Sequence, residues 1–287
     1  MPAAHIAVLL DEVIEYLDPR PGGVFIDATV GSGGHSAAIL ERTSPDGKLL
    51  GLDRDDAALK VAAERLASFG SRVLMERANF GDVAEVAGRR GFQNVDGILA
   101  DIGVSSMMVD DPERGFSFMR EGPLDMRMDR TQHTTAATLV NHAGERELAD
   151  ILFKYGEERR SRPIARSIVR SRPLSTTTDL VRAIERVTGR PRYGRIHPAT
   201  RTFQALRIVV NAELESLENF LDHAPLIPRV GGRLVIISFH SLEDRIVKNR
   251  FRQIGGVLTK KVIMAGPEET RRNPRARSAR LRCVEIQ

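Results

Sequence analysis

Short apolar runs alternate with stretches of helical periodicity along the first hundred residues. The apolar runs predict strands at residues 24–28, 48–53, 73–77 and 95–101. The stretches between them predict helices at residues 36–42, 55–69 and 82–90. Strands that alternate with helices in this way are typical of a parallel sheet covered by helices on both faces. The carboxyl ends of the strands share one edge of such a sheet, where ligands bind.

The alternation stops after the fourth strand. Residues 102–130 are rich in glycine and proline and hold five of the eight methionines. That composition fits either the filling of an irregular core or a mobile lid over a ligand. Apolar residues at helical spacing then predict helices over residues 136–190. From Phe203 the same spacing predicts one long amphipathic helix that reaches Leu221.

Two apolar segments near the C-terminus return the chain to the sheet. Residues 231–238 predict a buried strand, and residues 283–286 predict the last strand. We therefore expect an α/β domain formed by residues 1–130 and 200–287. The helical residues 131–199 are interpreted as an inserted small domain.

The composition is that of a globular protein of 287 residues, with 41% hydrophobic and 28% charged residues. The single cysteine, Cys283, excludes an internal disulfide and suits a reducing compartment. Acidic residues interrupt the only apolar run near the N-terminus, which argues against a signal peptide. No apolar run approaches the ~20 residues that span a bilayer. We expect a cytoplasmic protein with no membrane partner, and the absence of zinc-site spacing predicts no metal.

Arginine is concentrated in two segments of a chain whose net charge is +5. Residues 159–207 hold 13 arginines, no lysine and two acidic residues, and residues 271–282 hold six arginines and no acid. The planar guanidinium pairs with phosphate through two hydrogen bonds and stacks on bases. Either segment alone is also typical of a solvated surface, but together they indicate a nucleic-acid partner.

Asp27 lies near the end of the first predicted strand, which leads into a turn that contains Gly31, Gly33 and Gly34. A strand, a glycine turn and a helix bring the backbone close to a nucleotide-like ligand. No Gly-Lys-Ser/Thr follows, which excludes a phosphate-binding P-loop, and Ser36 stands where a dinucleotide fingerprint has its third glycine. A tight turn without a ligand stays an alternative.

Two acidic residues narrow the choice of nucleotide. Asp53 ends the second strand 22 residues after Gly31, close to the ~20 expected for a carboxylate that binds ribose hydroxyls. Its alternative role is the N-cap of the next helix, which Asp55 or Asp56 can also fill. A carboxylate beside a free ribose favours NAD or S-adenosylmethionine (SAM) over NADP. Asp27 suits a ligand with cationic groups better than a pyrophosphate, which favours SAM.

Further polar residues indicate the substrate side of the site. Asp101 ends the fourth strand, where a substrate meets the cofactor in an open α/β sheet. Amino methyltransferases commonly carry Asp/Asn/Ser-Pro-Pro-aromatic here, and this chain has the aspartate but lacks the prolines and the adjacent aromatic residue. Arg195, His197 and Arg201 precede the long helix, and His240 follows the strand at residues 231–238. Each histidine is interpreted as either structural or close to the substrate.

Eight longer motifs extend over nearly the whole chain. They are His5-Ile-Ala-Val-Leu-Leu-Asp-Glu-Val, Gly31-Ser-Gly-Gly-His-Ser, Gly51-Leu-Asp-Arg-Asp, Asp101-Ile-Gly-Val-Ser-Ser, Glu113-Arg-Gly-Phe-Ser-Phe, Gly122-Pro-Leu-Asp-Met-Arg-Met-Asp, His197-Pro-Ala-Thr-Arg-Thr-Phe-Gln-Ala-Leu-Arg-Ile and Ser238-Phe-His-Ser-Leu-Glu-Asp-Arg. In these motifs the chain resembles the bacterial small-subunit ribosomal RNA N4-cytosine methyltransferases, the MraW/RsmH family.

The resemblance implies a class I, Rossmann-like SAM-dependent methyltransferase with a helical insertion. It also implies a cytidine in the decoding region of 16S rRNA as the methyl acceptor. By position, the implied cofactor contacts are Gly33, Gly34, His35, Asp53, Phe80 and Asp101. The family usually has Pro-Gln after Val-Ser-Ser, whereas this chain has Met107-Met108, which removes a polar contact near the cofactor. Ser32 also replaces a usual glycine or arginine.

The implied reaction assigns roles to several of these residues. The N4 amino group of cytosine is a poor nucleophile, so catalysis consists mainly of placing it in line with the methyl group. Asp101 is expected to accept a hydrogen bond from N4–H and to help remove the proton. The cytidine must leave its stack. The arginine-rich helices of the insertion at residues 131–199 are expected to bind the RNA through its phosphates.

Two other functions share parts of this pattern and stay alternatives. They are an NAD-dependent oxidoreductase and a non-catalytic RNA-binding factor. The sequence also leaves open whether the chain forms a homodimer. It does not decide whether the acceptor is free 16S rRNA, the 30S subunit or a late precursor.

Overall fold

The computed structural model of the protein describes residues 6–189 and 197–287. The chain forms two compact units. The first comprises Met1–Gly103 and Leu214–Gln287, and the second comprises Val104–Glu213.

Thirteen α-helices occur among the described residues. In chain order they are α1 (Leu10–Leu17), α2 (Gly34–Arg42), α3 (Asp56–Leu66), α4 (Val83–Arg90), α5 (Ser106–Asp110), α6 (Ala136–His142), α7 (Glu145–Gly156), α8 (Ser161–Arg170), α9 (Thr177–Thr188), α10 (Ala199–Asn211), α11 (Glu213–His223), α12 (Ser241–Ile254) and α13 (Pro267–Arg272). None of these helices is long and apolar enough to cross a membrane.

One six-stranded sheet forms the centre of the first unit. Its strands are β1 (Val24–Asp27), β2 (Lys48–Asp53), β3 (Val73–Arg77), β4 (Val95–Asp101), β5 (Pro228–Ser238) and β6 (Arg280–Glu285). They lie in the order β3-β2-β1-β4-β5-β6. The first five strands run parallel to one another, and β6 runs antiparallel to β5. The predicted α/β class and the six predicted strands are confirmed, although β5 and β6 each begin three residues earlier than expected.

Helices cover both faces of this sheet, so its strands are apolar on both sides. Neighbouring residues of β1 show the division, because side chains of a strand alternate between faces. Ile26 belongs to the core that includes Phe220 of α11. Phe25 belongs to the core that includes Val13 of α1. Burial on both faces explains why these strands are continuous apolar runs in the sequence.

The second unit has an apolar core of its own. Helices α6 to α10 contribute to it, and Leu148, Ile164 and Leu206 are fully buried there. This unit contains the segment 131–199 that the sequence predicts as an insertion. It also contains the methionine-rich segment before it and α10 after it. The helical periodicity predicted over residues 136–190 corresponds to α6, α7, α8 and α9.

A break at Ala212 divides the single long helix that was predicted from Phe203. Ala212 has a φ of +49°, in the left-handed region, which ends α10 before α11 begins. The side chain of Asn211 donates to the carbonyl of Met126 at 2.8 Å and accepts from the amide of Met128 at 2.7 Å. The prediction of one continuous helix was therefore wrong, because contacts with a segment more than 80 residues away fix this corner.

Three smaller differences from the predicted elements concern helices. The helix after the glycine turn begins at Gly34 rather than at residue 36. The helix predicted to reach residue 69 ends as α-helix at Leu66, where a 3₁₀ turn takes over. The segment 102–130, predicted as loop, contains the short helix α5.

Candidate active site

The carboxyl ends of three parallel strands carry acidic residues. Asp27 ends β1, Asp53 ends β2 and Asp101 ends β4. Because β1 lies between β2 and β4, the three residues are neighbours along one edge of the sheet. The glycine turn follows β1 at the same edge, as the sequence predicted.

The glycine turn has a backbone that favours glycine. The φ angles of Gly31 and Gly33 are +51° and +78°. A Cβ at Gly33 would also lie 3.3 Å from Cγ of Leu66, so a side chain there would press on α3. Gly33 is the N-cap of α2, and no side chain caps this helix. The first N–H groups of α2 and the positive end of its dipole therefore suit an anionic part of a ligand.

The carboxylate of Asp53 is bonded directly to the glycine turn. Oδ2 accepts the backbone N–H of Gly31 at 2.9 Å, and Oδ1 accepts the N–H of Asp55 at 2.9 Å. The N-cap of α3 is Asp55, whose side chain accepts from Ala57. The alternative role of Asp53 as that N-cap is therefore wrong. Burial raises the pKa of Asp53 to about 6, against the lowering effect of the two backbone hydrogen bonds.

Asp27 has an internal role in the same turn. Its side chain is buried, with Oδ2 accepting from Ser36 Oγ at 2.6 Å and Oδ1 accepting from Thr29 N at 3.2 Å. Burial raises the pKa of this carboxyl, while the hydrogen bond from Ser36 and the nearby His35 act to lower it. Asp27 thus links the end of β1 to the first turn of α2. The hydroxyl of Ser36 is the donor in this link.

His35 is held by the segment before α1. Its Nε2 lies 2.8 Å from the carbonyl oxygen of Val8, and the ring is buried. Because a carbonyl oxygen only accepts hydrogen bonds, Nε2 carries the proton. In the neutral ring Nδ1 is then an acceptor. His35 also interacts electrostatically with Asp27 and Asp101, and in both cases it lowers the pKa of the carboxyl.

Asp101 is fixed by backbone contacts and is only partly accessible. Its own N–H donates to Thr29 Oγ1 at 2.6 Å, and its carboxylate accepts the N–H of Gly103. Burial raises the pKa of Asp101 to about 6, and the negative charges of Asp27 and Glu243 act in the same direction. A carboxyl group with such a pKa exchanges its proton close to neutral pH, which suits a general base.

His240 caps the helix that follows β5. Its Nδ1 accepts the N–H of Glu243 at 3.3 Å, while Oε2 of Glu243 accepts the N–H groups of Phe239 and His240 at 2.8 and 3.2 Å. This is a capping box at the start of α12. Since Nδ1 accepts, the proton of the neutral ring lies on Nε2, 2.9 Å from Oε1 of Glu243.

Phe80, implied as a cofactor contact, lies just beyond the end of β3. It is almost fully buried, and its ring meets that of Phe220 edge to face with the centroids 5.6 Å apart. The 3₁₀ turn that begins at Phe80 is capped by Asn79. Because β3 lies next to β2 in the sheet, Phe80 lies at the same sheet edge as Asp53.

The remaining predicted substrate residues belong to the second unit. His197 Nδ1 accepts the N–H of Ala199 at 3.1 Å, and its ring lies 4.6 Å from that of Phe118. Nε2 of His197 is 3.6 Å from Oε1 of Glu185. Arg201 donates to a backbone carbonyl in the same unit. Arg195 lies outside the described residues.

Sequence reasoning missed three residues that hold the first unit's site in place. They are Thr29, Ser36 as a partner of Asp27, and Glu243. The spacing His240-x-x-Glu243 before an amphipathic stretch is a helix-start signal that can find Glu243. The contacts of Thr29 and Ser36 have no such local signal.

Comparison with known proteins gives close relatives over the whole chain. The sequence profile of the MraW methylase family matches residues 2–287. A protein of Rippkaea orientalis named ribosomal RNA small subunit methyltransferase H is 55% identical over 286 residues, covering 98% of this chain and 92% of its own. A protein of the same name from Geobacter sulfurreducens is 51% identical and covers 99% of both chains. A SAM-dependent O-methyltransferase from Thermotoga maritima aligns over 100% of this chain and 69% of its own, with a TM-score of 0.47 and 11% identity.

Proposed function

The chain belongs to the MraW methylase family, and we propose that it transfers the methyl group of SAM to the exocyclic N4 of a cytidine in the decoding region of 16S rRNA. One observation carries the proposal. Asp53 and Asp101 end the strands on either side of β1 and its glycine turn. This arrangement offers one carboxylate to a ribose and one to the acceptor. The acceptor class follows from the names of the relatives, which are ribosomal RNA small subunit methyltransferases.

The residues at this edge fit the chemical groups of SAM. Each oxygen of Asp53 accepts one backbone hydrogen bond, and a carboxylate has about four acceptor sites, so the two ribose hydroxyls can also be bound. The uncapped start of α2 at Gly34 and His35 suits the methionine carboxylate. The acidic edge suits the amino group and the sulfonium. Phe80 offers an apolar surface beside the ribose carboxylate.

The residues of this chain contribute mainly by positioning and by removing a proton. Bound SAM supplies a methyl group that is already strongly electrophilic. The enzyme has to hold N4 of the cytosine in line with that group, because the lone pair of N4 is delocalised into the ring. Asp101 accepts a hydrogen bond from N4–H and takes the proton as N4 gains the methyl group. Thr29 holds the backbone of Asp101 in place for this role.

We also propose that His240, Arg195, His197 and Arg201 bind the RNA substrate. His197 and Phe118 form a ring pair that is partly exposed, which supports this role because unpaired bases stack on accessible aromatic rings. A cytidine that reaches the methyl group has to be splayed from its neighbours first.

Labelled methyl transfer to small-subunit RNA tests the proposal. The wild type is compared with Asp101→Asn, which keeps an acceptor oxygen, and SAM binding is measured separately by calorimetry with NAD as a control ligand. We expect SAM but not NAD to bind. We expect kcat of the variant to fall about 100-fold or more, with little change in the Kd of SAM. Wild-type turnover by the variant would contradict the role of Asp101, and RNA binding without methyl transfer would favour a non-catalytic RNA-binding factor.

The form of the acceptor needs a second comparison. We propose that the acceptor is the 30S subunit or a late precursor in the cytoplasm. Free 16S rRNA, purified 30S subunits and precursor particles are offered at equal concentration. The proposal predicts the highest kcat/KM on the particles, and equal rates on free rRNA would contradict it.

Sedimentation of the enzyme alone separates a monomer from a homodimer.

A further inference from the structure

One face of α8 carries a row of three exposed arginines. Arg162, Arg166 and Arg170 follow one another at intervals of four residues. At 100° and 1.5 Å per residue, they fall within an arc of about 80° and are about 6 Å apart along the helix axis. All three side chains are exposed. We call these three residues the α8 arginine row.

The opposite face of α8 anchors the row. Ile164, Ala165 and Ile168 are fully buried in the core of the second unit. Helix α8 is therefore fixed in place by its apolar face while its arginines face solvent. An apolar face that is already buried cannot insert into a lipid surface, which argues against a membrane as the partner.

Few acidic groups compete for the row. Arg166 makes an ion pair with Glu145 at 3.2 Å, in which both side chains are exposed. Exposed ion pairs of this kind contribute little to the stability of a protein. The structure records no acidic partner for Arg162 or Arg170 among the residues that it describes. The two acids of the arginine-rich segment are engaged elsewhere. Asp179 accepts the N–H of Thr176 in the cap of α9, and Glu185 lies beside a histidine.

From this geometry we infer that the α8 arginine row binds successive phosphates along one strand of the small-subunit RNA. The inference rests on the proposed function for the identity of the RNA. A guanidinium suits phosphate because its planar fork donates two parallel hydrogen bonds. The interval between the arginines is comparable with the distance between neighbouring phosphates of an RNA strand. A rigid helix that presents them in line loses less backbone freedom on binding than a flexible tail does.

The salt dependence of RNA binding measures this contact directly. Each phosphate neutralised on a single strand contributes about 0.7 to the slope of log K against log salt concentration. The variant Arg162→Gln/Arg166→Gln/Arg170→Gln should therefore have a slope shallower than that of the wild type by about 2. Between 50 and 200 mM salt, this difference changes the ratio of the two affinities by about 20-fold.

A matched control removes the same charge from the first unit. Lys60, Lys248 and Arg252 are exposed, and their triple change to glutamine should leave the slope close to that of the wild type. The variant Arg162→Lys/Arg166→Lys/Arg170→Lys keeps the charge and should retain most of the slope. Calorimetric SAM affinity and thermal unfolding check that all three variants are folded, since the first unit should bind SAM unchanged.

The outcomes separate this inference from the proposed function. A wild-type slope in the glutamine variant of the row would overturn the inference, and so would an equal loss in the control. In either case, methyl transfer by the wild type would leave the proposed function standing. If the wild type bound neither small-subunit RNA nor 30S particles, both would be overturned. A shallower slope in the row variant alone, with SAM binding intact, supports the inference.

Discussion

The backbone N–H of Gly31 donates a hydrogen bond of 2.9 Å to Oδ2 of Asp53. This contact joins the glycine turn after β1 to the carboxylate that ends β2. The two features are 22 residues apart in the sequence, and the parallel pairing of β1 with β2 brings them together. The turn and the ribose carboxylate therefore form one structural unit, so a change in either alters the other.

Asp53→Asn should weaken SAM binding by about 10- to 100-fold, because hydrogen bonds to a charged group contribute about 1.5–3 kcal/mol. Asparagine also loses one of the two acceptor oxygens that hold Gly31 and Asp55. The matched control is Asp55→Asn, since asparagine caps a helix about as well as aspartate does. Isothermal calorimetry measures both variants. Equal Kd values for the two would show that Asp53 does not bind the ribose.

The rate of methyl transfer should rise with pH through about 6. Burial raises the pKa of Asp101 to about 6, so the carboxylate that accepts the proton is mostly protonated below this pH and mostly ionised above it. Single-turnover rates with saturating SAM between pH 5 and 8 measure the effect. Asp101→Asn should lose this rise and keep only a low rate that varies little with pH. A rise of the same size in the variant would assign the titration to another group.

Ser36→Ala should destabilise the first unit by about 1–3 kcal/mol, since it leaves the buried Oδ2 of Asp27 without the hydroxyl that donates to it. The exposed Ser68 is the control, because its change to alanine should have an effect within about 0.5 kcal/mol. Urea unfolding curves give both free energies. A loss at position 36 no larger than at position 68 would show that the Ser36–Asp27 hydrogen bond adds little.

His240 has a capping role that can be separated from its proposed role in binding RNA. His240→Ala removes the side-chain cap of α12 and should cost about 1 kcal/mol of unfolding free energy, whereas His240→Asn should restore it. If the proposed substrate role holds, His240→Asn still raises the KM for the RNA substrate. Thermal unfolding and steady-state kinetics give the two readouts. A wild-type KM in this variant would leave His240 with the structural role alone.

Much of the first unit was predictable from local pattern. The apolar runs gave the six strands because strands buried on both faces are continuous in sequence. The positions of Gly31, Asp53 and Asp101 followed from the rule that ligands bind at the carboxyl edge of parallel strands. The assignment of these residues to SAM and RNA is part of the proposed function.

The sequence by itself determined the order of the strands along the chain, the glycine turn and the acidic ends of the strands. All of these depend on residue types at short spacing, which local physics controls. Only the tertiary structure decided which partners those residues have. Thr29 bonds the backbone of Asp101, Val8 holds His35, and Asn211 turns the chain at the end of α10. Each of these contacts joins residues 27 or more positions apart, and it forms only when packing of the whole unit brings them within hydrogen-bond distance.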